Sequence, residues 1–219
     1  MLVHDYMTAS VTTIGPDTRL PDALGIMRTQ GIHHLPVVED AQLIGIVSEK
    51  DLLYALPSAD KPVSWIEAAA QAAIIPVREI MHRDVVTICA TCPIEMAAAA
   101  MADHDISALP VVDPPDSRRL VGIITKTDIF TLFVEMLGAH RSSVRASLEI
   151  DNRKGALASL FNRVVEAGGL VVSISTFPAT SPARIRIILK VTEITQEAVH
   201  NLLKPEETII DLREIRGTN

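Results

Sequence analysis

Two aspartates stand three residues after a hydroxyl, in Ser48-Glu-Lys-Asp51 and in Thr125-Lys-Thr-Asp128. An ionised carboxylate accepts two hydrogen bonds at once, and a ribose 2′,3′ diol offers two hydroxyl donors side by side. Each aspartate therefore suits a nucleoside sugar. The hydroxyl falls where a strand gives way to a helix, and the free amides of a helix start suit a phosphate. Sugar and phosphate would be read within one helical turn. The same spacing also describes a plain helix cap, hydroxyl at the N-cap and acid three positions on. One copy alone would favour the cap; two copies in one strand-turn-helix setting favour the ligand.

The elements that must hold these groups are themselves duplicated. Leu43-Ile-Gly45-Ile-Val-Ser48-Glu-Lys-Asp51 returns as Leu120-Val-Gly122-Ile-Ile-Thr125-Lys-Thr-Asp128. Upstream, Met7 pairs with Met81, Val11 with Val85, Ile14 with Ile88 and Leu35-Pro36 with Leu109-Pro110, all at one offset (81 − 7 = 74). The offset grows to 77 (128 − 51) only across two hairpin tips, Asp40 to Gln42 and Asp113 to Arg119. A fixed period with its insertion confined to a turn marks two copies of one supersecondary unit. Repeat one predicts a strand at Val11–Ile14, a turn at Gly15–Thr18, a helix, strands at Leu35–Val38 and Leu43–Val47, and a second helix from Ser48. Leu20, Ala23, Leu24 and Met27 form an apolar helical stripe, matched by Ile94, Ala97, Ala98 and Met101, so both helices should bury against equivalent partners.

Repeat one thus covers about residues 1–56 and repeat two about 77–137. The linker, 57–76, is expected to hold a helix around Trp65 to Ala73. Beyond a short polar stretch after Gly138, residues 144–219 read as strand, helix, two strands, helix and strand, a split ferredoxin-like β-α-β-β-α-β arrangement. The expected fold class is α/β (α+β).

Composition bounds the partners. The chain has 219 residues, is 48% hydrophobic and carries a formal charge of −7, with no Lys/Arg cluster interleaved with aromatics. It is long enough for real cores, and nucleic acid is not expected as a partner. Met1 to Tyr6 lacks the charged-then-apolar plan of a signal peptide, and no apolar run approaches the roughly 18 residues of a membrane span. A cytoplasmic protein is expected. Cys89 and Cys92 form a Cys-x-x-Cys where repeat one has its Gly15–Thr18 turn, and two sulfurs cannot close a tetrahedral zinc site. His33-His34 has no third ligand at useful spacing, so no metal is expected. No Ser-His-Asp order, paired-carboxylate motif or phosphate loop of the Walker type stands out, and no catalytic residue is assigned.

Gly-h-h-Ser/Thr-x-x-Asp in both copies, with h apolar, and Leu-Pro-Val-Val in both make residues 1 to about 137 resemble a tandem pair of CBS domains, an adenosine-ligand sensing module. The resemblance implies two composite clefts, each built from the hydroxyl and aspartate of one repeat and the early strand of the other. One cleft would use Thr125 and Asp128 with Thr8, Thr12, Ile32 and His33, with His34 beside it as a phosphate contact. The other would use Ser48 and Asp51 with His82, Val86, Ile106 and Ser107, and it lacks the charge that the histidines give the first.

Residues 144 to 216 resemble an ACT domain, commonly an amino-acid-sensing or dimerising module, through Asp151-Asn152-Arg153-Lys154-Gly155-Ala-Leu157. That family usually has an acid and a proline where Asn152 and Lys154 stand. A CBS pair followed by a C-terminal ACT domain is similar to the acetoin-utilisation AcuB-type regulatory proteins. The expectation is a non-catalytic, homodimeric regulatory protein binding AMP, ADP or ATP in the CBS clefts, its regulated partner unidentified. NAD or S-adenosylmethionine present the same ribose diol and remain alternatives. Two rivals stay open: an amino-acid sensor acting through the Asp151–Gly155 turn, and a nucleotide-processing enzyme.

Overall fold

The computed structural model describes residues 1–56, 72–115 and 117–217. They form two compact units, Met1–Ile129 and Phe130–Asn219. Most of the helix expected at Trp65 to Ala73 lies outside the described residues.

In the first unit, repeat one supplies α1 (Leu20–Gln30), β1 (His34–Glu39), β2 (Gln42–Ser48) and α2 (Glu49–Tyr54). Repeat two supplies β3 (Ile88–Cys89), α3 (Ile94–Asp103), β4 (Ala108–Val112), β5 (Leu120–Thr125) and α4 (Lys126–Met136), which continues past Ile129. The stripe of α1 is buried at all four positions; that of α3 is buried at Ile94, Ala97 and Met101, with Ala98 half-buried. Both hairpins are antiparallel and carry a bulge at the same place, Val37/Val38 and Val111/Val112. The register sets His34 opposite Ser48 and Ala108 opposite Thr125, so each motif hydroxyl faces the start of the preceding strand.

The strand expected at Val11–Ile14 shrinks to one parallel bridge, Ile14 to Val37, and its counterpart is only Ile88–Cys89 against Val111 and Val112. Pro16, two residues on, has no N–H with which to extend the ladder toward the turn.

The repeats interlock through their leading segments. Thr8 and Ile123 exchange backbone hydrogen bonds of 2.9 and 3.0 Å, and His82 and Ile46 exchange bonds of 2.9 and 3.0 Å. Each motif glycine makes this approach feasible. A Cβ on Gly45 would lie 2.6 Å from Met81 Sδ and 3.1 Å from the His82 carbonyl oxygen; one on Gly122 would collide with the Met7 side chain alone. Met81 is buried and a backbone carbonyl cannot rotate away, so Gly45→Ala is expected to cost about 1–3 kcal/mol by overpacking. Gly122→Ala should cost less, since the thioether of Met7 can swing aside. Urea denaturation of the two variants checks the order.

The second unit holds β6 (Ser143–Asp151), α5 (Ala156–Glu166), β7 (Leu170–Pro178), β8 (Arg184–Thr192), α6 (Gln196–Asn201) and β9 (Thr208–Ile215). The sheet order is β7-β8-β6-β9, antiparallel throughout, the ferredoxin-like arrangement expected. Ala156, Leu160 and Val164 put one face of α5 on a core completed by Leu148, Ile187 and Leu189. Gly155 opens α5 at φ +81°, with nothing within 4 Å of a built Cβ. Its backbone conformation, and not crowding, calls for glycine.

Candidate functional site

Both motif pairs cap their helices, and at Asp128 the cap takes one carboxylate oxygen and leaves the other for a ligand. Asp128 Oδ2 accepts from the Thr125 N–H at 2.7 Å and from the Thr125 hydroxyl at 2.7 Å, while the Asp128 N–H donates back to that hydroxyl at 3.4 Å. Asp51 and Ser48 repeat the pattern at 2.8, 2.6 and 3.2 Å. Cap and ligand are therefore not exclusive readings: capping takes Oδ2, and Oδ1 is a separate acceptor.

The first amides of these helices are committed elsewhere. Lys126 N–H donates to the Ser107 carbonyl and Glu49 N–H to the His33 carbonyl, each at 2.9 Å. A phosphate at this spot would depend on side-chain charge more than on those amides, a correction to the reading from the motif alone.

Thr8, Thr12, Ile32 and His33, together with His34, Thr125 and Asp128, line one cavity of about 640 Å3. That volume lies within the usual range for a small-molecule site. Ser107 also lines it, its hydroxyl 3.0 Å from His34 Nε2, although the resemblance assigned that serine to the other cleft. Ser10 and Thr127 lie along the same wall. Gln30 and Lys126 add to the polar lining, and Thr12 donates its hydroxyl to Gln30. Neither was singled out from sequence, though the 77-residue offset pairs Lys126 with Glu49. Burial, helped by the neighbouring charge of His33 and opposed by Asp51, lowers the pKa of His34 below that of an ordinary imidazole. His33 Nδ1 lies 2.8 Å from Glu49 Oε2.

The second set does not gather in the same way. His82 Nε2 sits 3.2 Å from Asp51 Oδ1. Burial acts to raise the Asp51 pKa, but hydrogen bonds from the Ser48 hydroxyl and N–H and from His82 outweigh it and hold the group below the ordinary carboxylate range. Val86 lines a different cavity, of about 480 Å3, with Arg83 and Arg118, and Ile106 is half-buried behind α3.

The Asp151–Gly155 turn is largely self-satisfied. Arg184 Nη1 donates to Asp151 Oδ1 at 2.8 Å, Arg153 Nε lies 3.9 Å from Asp151 Oδ2, and Asn152 donates to the carbonyls of Ala183 and Pro182 at 2.8 and 3.2 Å. The void beside Asp151 and Arg153 is about 10 Å3, room for about one water. Asn152 alone of the five lines a larger hollow, about 390 Å3, with Phe177 and Arg184.

Cys89 and Cys92 are joined as a disulfide in the turn before α3. The carbonyls of Cys92 and Ala90 in that turn accept from Val3 and His4 at 2.9 Å each, so the turn seats the N-terminal segment. Among the described residues there is no group of three or more His, Cys, Asp or Glu placed to hold a metal, and no helix is long and apolar enough to cross a membrane.

Comparison with known proteins gives this geometry a setting. The CBS domain profile matches residues 3–58 and 77–135. Protein MJ1225 of Methanocaldococcus jannaschii is 36% identical over 134 residues, 60% of this chain and 47% of that protein. A solved Vibrio cholerae structure assigned as an acetoin utilization protein (AcuB) is 34% identical, covers 63% of this chain and 93% of its own, and superposes with a TM-score of 0.52. CBSX2, solved in complex with AMP, is 26% identical, covers 62% and 98%, and gives a TM-score of 0.51. The chain spans about half the length of MJ1225 and 23% of a homoserine O-acetyltransferase from Methanococcoides burtonii that it also matches.

Proposed function

The chain belongs to the CBS-domain family, and from that premise we propose that it is a regulatory protein that binds an adenosine-containing ligand in the Asp128 cleft. The observation that carries this reading is the convergence of Asp128, Thr125, Thr8, His33 and His34 on one cavity of about 640 Å3. Asp128 Oδ1 would take the ribose diol, and His33, His34 and Lys126 would supply the charge for a phosphate. CBSX2 in complex with AMP supports the choice of AMP as first probe. Differential affinity for one arrangement of the repeats is what would turn binding into a signal. Thermal shifts with AMP, ADP, ATP, NAD, S-adenosylmethionine and amino acids test the reading: stabilisation by AMP and not by amino acids is expected, and the reverse would favour the amino-acid rival.

His34 makes binding pH-dependent. Its depressed pKa means that the free protein keeps the stability linked to neutral His34 above about pH 6.5 and loses it as pH falls below that value. A phosphate beside the imidazole would favour its charged form, so AMP should bind with proton uptake and more tightly as pH falls from 7.5 to 6. Calorimetry in buffers of different ionisation heat reads the uptake directly, and His34→Gln should reduce it.

For the ferredoxin-like unit, resembling an ACT domain, we read dimerisation before amino-acid sensing. Asp151 is already held by Arg184, whereas Leu170 and Phe177 on edge strand β7 are 54% and 44% exposed. Phe130, Phe133 and Met136 add an exposed apolar stripe on α4. Apolar surface of this kind is typical of an interface. Sedimentation is expected to show a dimer at micromolar concentration; a monomer with and without AMP would refute it.

A further inference from the structure

We propose that His82 is the built-in occupant of the second cleft, so that each chain takes one adenosine ligand, in the Asp128 cleft; this rests on the reading of that cleft given above. The duplication supplies an internal control. Thr8 and His82 are equivalent positions, and their backbones make the same paired hydrogen bonds, to Ile123 and to Ile46. Both side chains therefore start from the same place relative to the aspartate of the opposite repeat. The short hydroxyl of Thr8 lies on the wall of the Asp128 cavity. The longer imidazole of His82 crosses to Asp51 and puts Nε2 3.2 Å from Oδ1. Ser48 already engages Oδ2 through its hydroxyl and its N–H, at 2.6 and 2.8 Å. The cap thus holds Oδ2, the imidazole stands over Oδ1, and a ribose diol could reach Asp51 only by displacing it.

Two further differences run the same way. The residue after the motif hydroxyl is Lys126 in one copy and Glu49 in the other. Lys126 lines the Asp128 cavity, its Nζ 3.8 Å from the exposed Asp105, and its charge would attract a phosphate there; Glu49, 2.8 Å from His33, would repel one. Ser107, the counterpart of His33, turns its hydroxyl to His34, 3.0 Å away, and so joins the lining of the Asp128 cavity.

Calorimetric titration with AMP tests the assignment. The native protein is expected to bind one AMP per chain, with binding lost in Asp128→Ala. His82→Thr, and more strongly His82→Thr combined with Glu49→Lys, should add a second equivalent that disappears again when Asp51→Asn is included. Circular dichroism verifies that each variant is folded. Two equivalents in the native protein would overturn the role of His82 while leaving the Asp128 cleft as a nucleotide site. A folded His82→Thr protein and a folded double variant that both still bind one equivalent would overturn it too. If the native protein binds no AMP at any concentration up to millimolar, the reading of the Asp128 cleft fails first and this assignment falls with it.

Discussion

Asp128→Ala is expected to weaken AMP binding by about 10- to 150-fold, the range of roughly 1.5–3 kcal/mol for removing a charged acceptor from hydroxyl donors. The same substitution removes a helix cap, because Asp128 Oδ2 holds both the N–H and the hydroxyl of Thr125. Loss of that cap should lower stability by about 0.5–2 kcal/mol without ligand present. Asp128→Asn separates the two effects. Its amide oxygen can keep a cap bond, but the charge that draws both ribose hydroxyls is gone, so affinity should fall while the melting temperature changes little. Calorimetry beside thermal melts decides: native affinity in a folded Asp128→Ala protein would show that the motif is a cap alone.

Glu207→Leu is expected to have the largest effect on the stability of the ferredoxin-like unit. Arg163 on α5 donates to Glu207 Oε1 at 2.6 Å, and the two side chains are only 16% and 9% exposed. Among the described residues Arg163 Nε and Nη1 are buried without a hydrogen-bond partner, and Glu207 Oε2 also accepts the Lys204 N–H at 2.9 Å. Glu207 is therefore the carboxylate that balances a buried guanidinium. Removing one partner of such a pair costs about 3–5 kcal/mol, whereas replacing both by apolar groups is often neutral or stabilising. Urea denaturation should show Glu207→Leu strongly destabilised and Arg163→Leu combined with Glu207→Leu restored most of the way. Equal damage in the single and double variants would show that the pair itself, and not the stranded charge, holds α5.

The contrast between the two clefts shows what could be read from residue order. The hydroxyl-x-x-Asp repeat was legible because duplication at a constant offset separates a motif from coincidence, and the apolar stripes of α1 and α3 followed from helical periodicity. That the cap takes only Oδ2 of Asp128 was not legible, because assigning the cap to one oxygen requires the rotamer. The reach of His82 was hidden for a related reason. Thr8 and His82 were visibly different, but only the paired backbones at Ile123 and Ile46 show that they hold equivalent places, one on the wall of the Asp128 cavity and the other against Asp51. Lys126 could have been found by carrying the 77-residue offset to Glu49 and comparing their charges. At the Asp151 turn the missing partner was Arg184, which the strand register sets directly opposite Asp151 although 33 residues separate them. Spacing within a five-residue turn carries no trace of such a neighbour.

The most direct measurement is a crystal structure of the protein grown with AMP. The expected result is AMP in the Asp128 cleft, both ribose hydroxyls on the Asp128 carboxylate, the phosphate beside His33, His34 and Lys126, and His82 still on Asp51. AMP bound with its ribose away from Asp128, or an empty Asp128 cleft in a protein saturated with AMP in solution, would contradict the account.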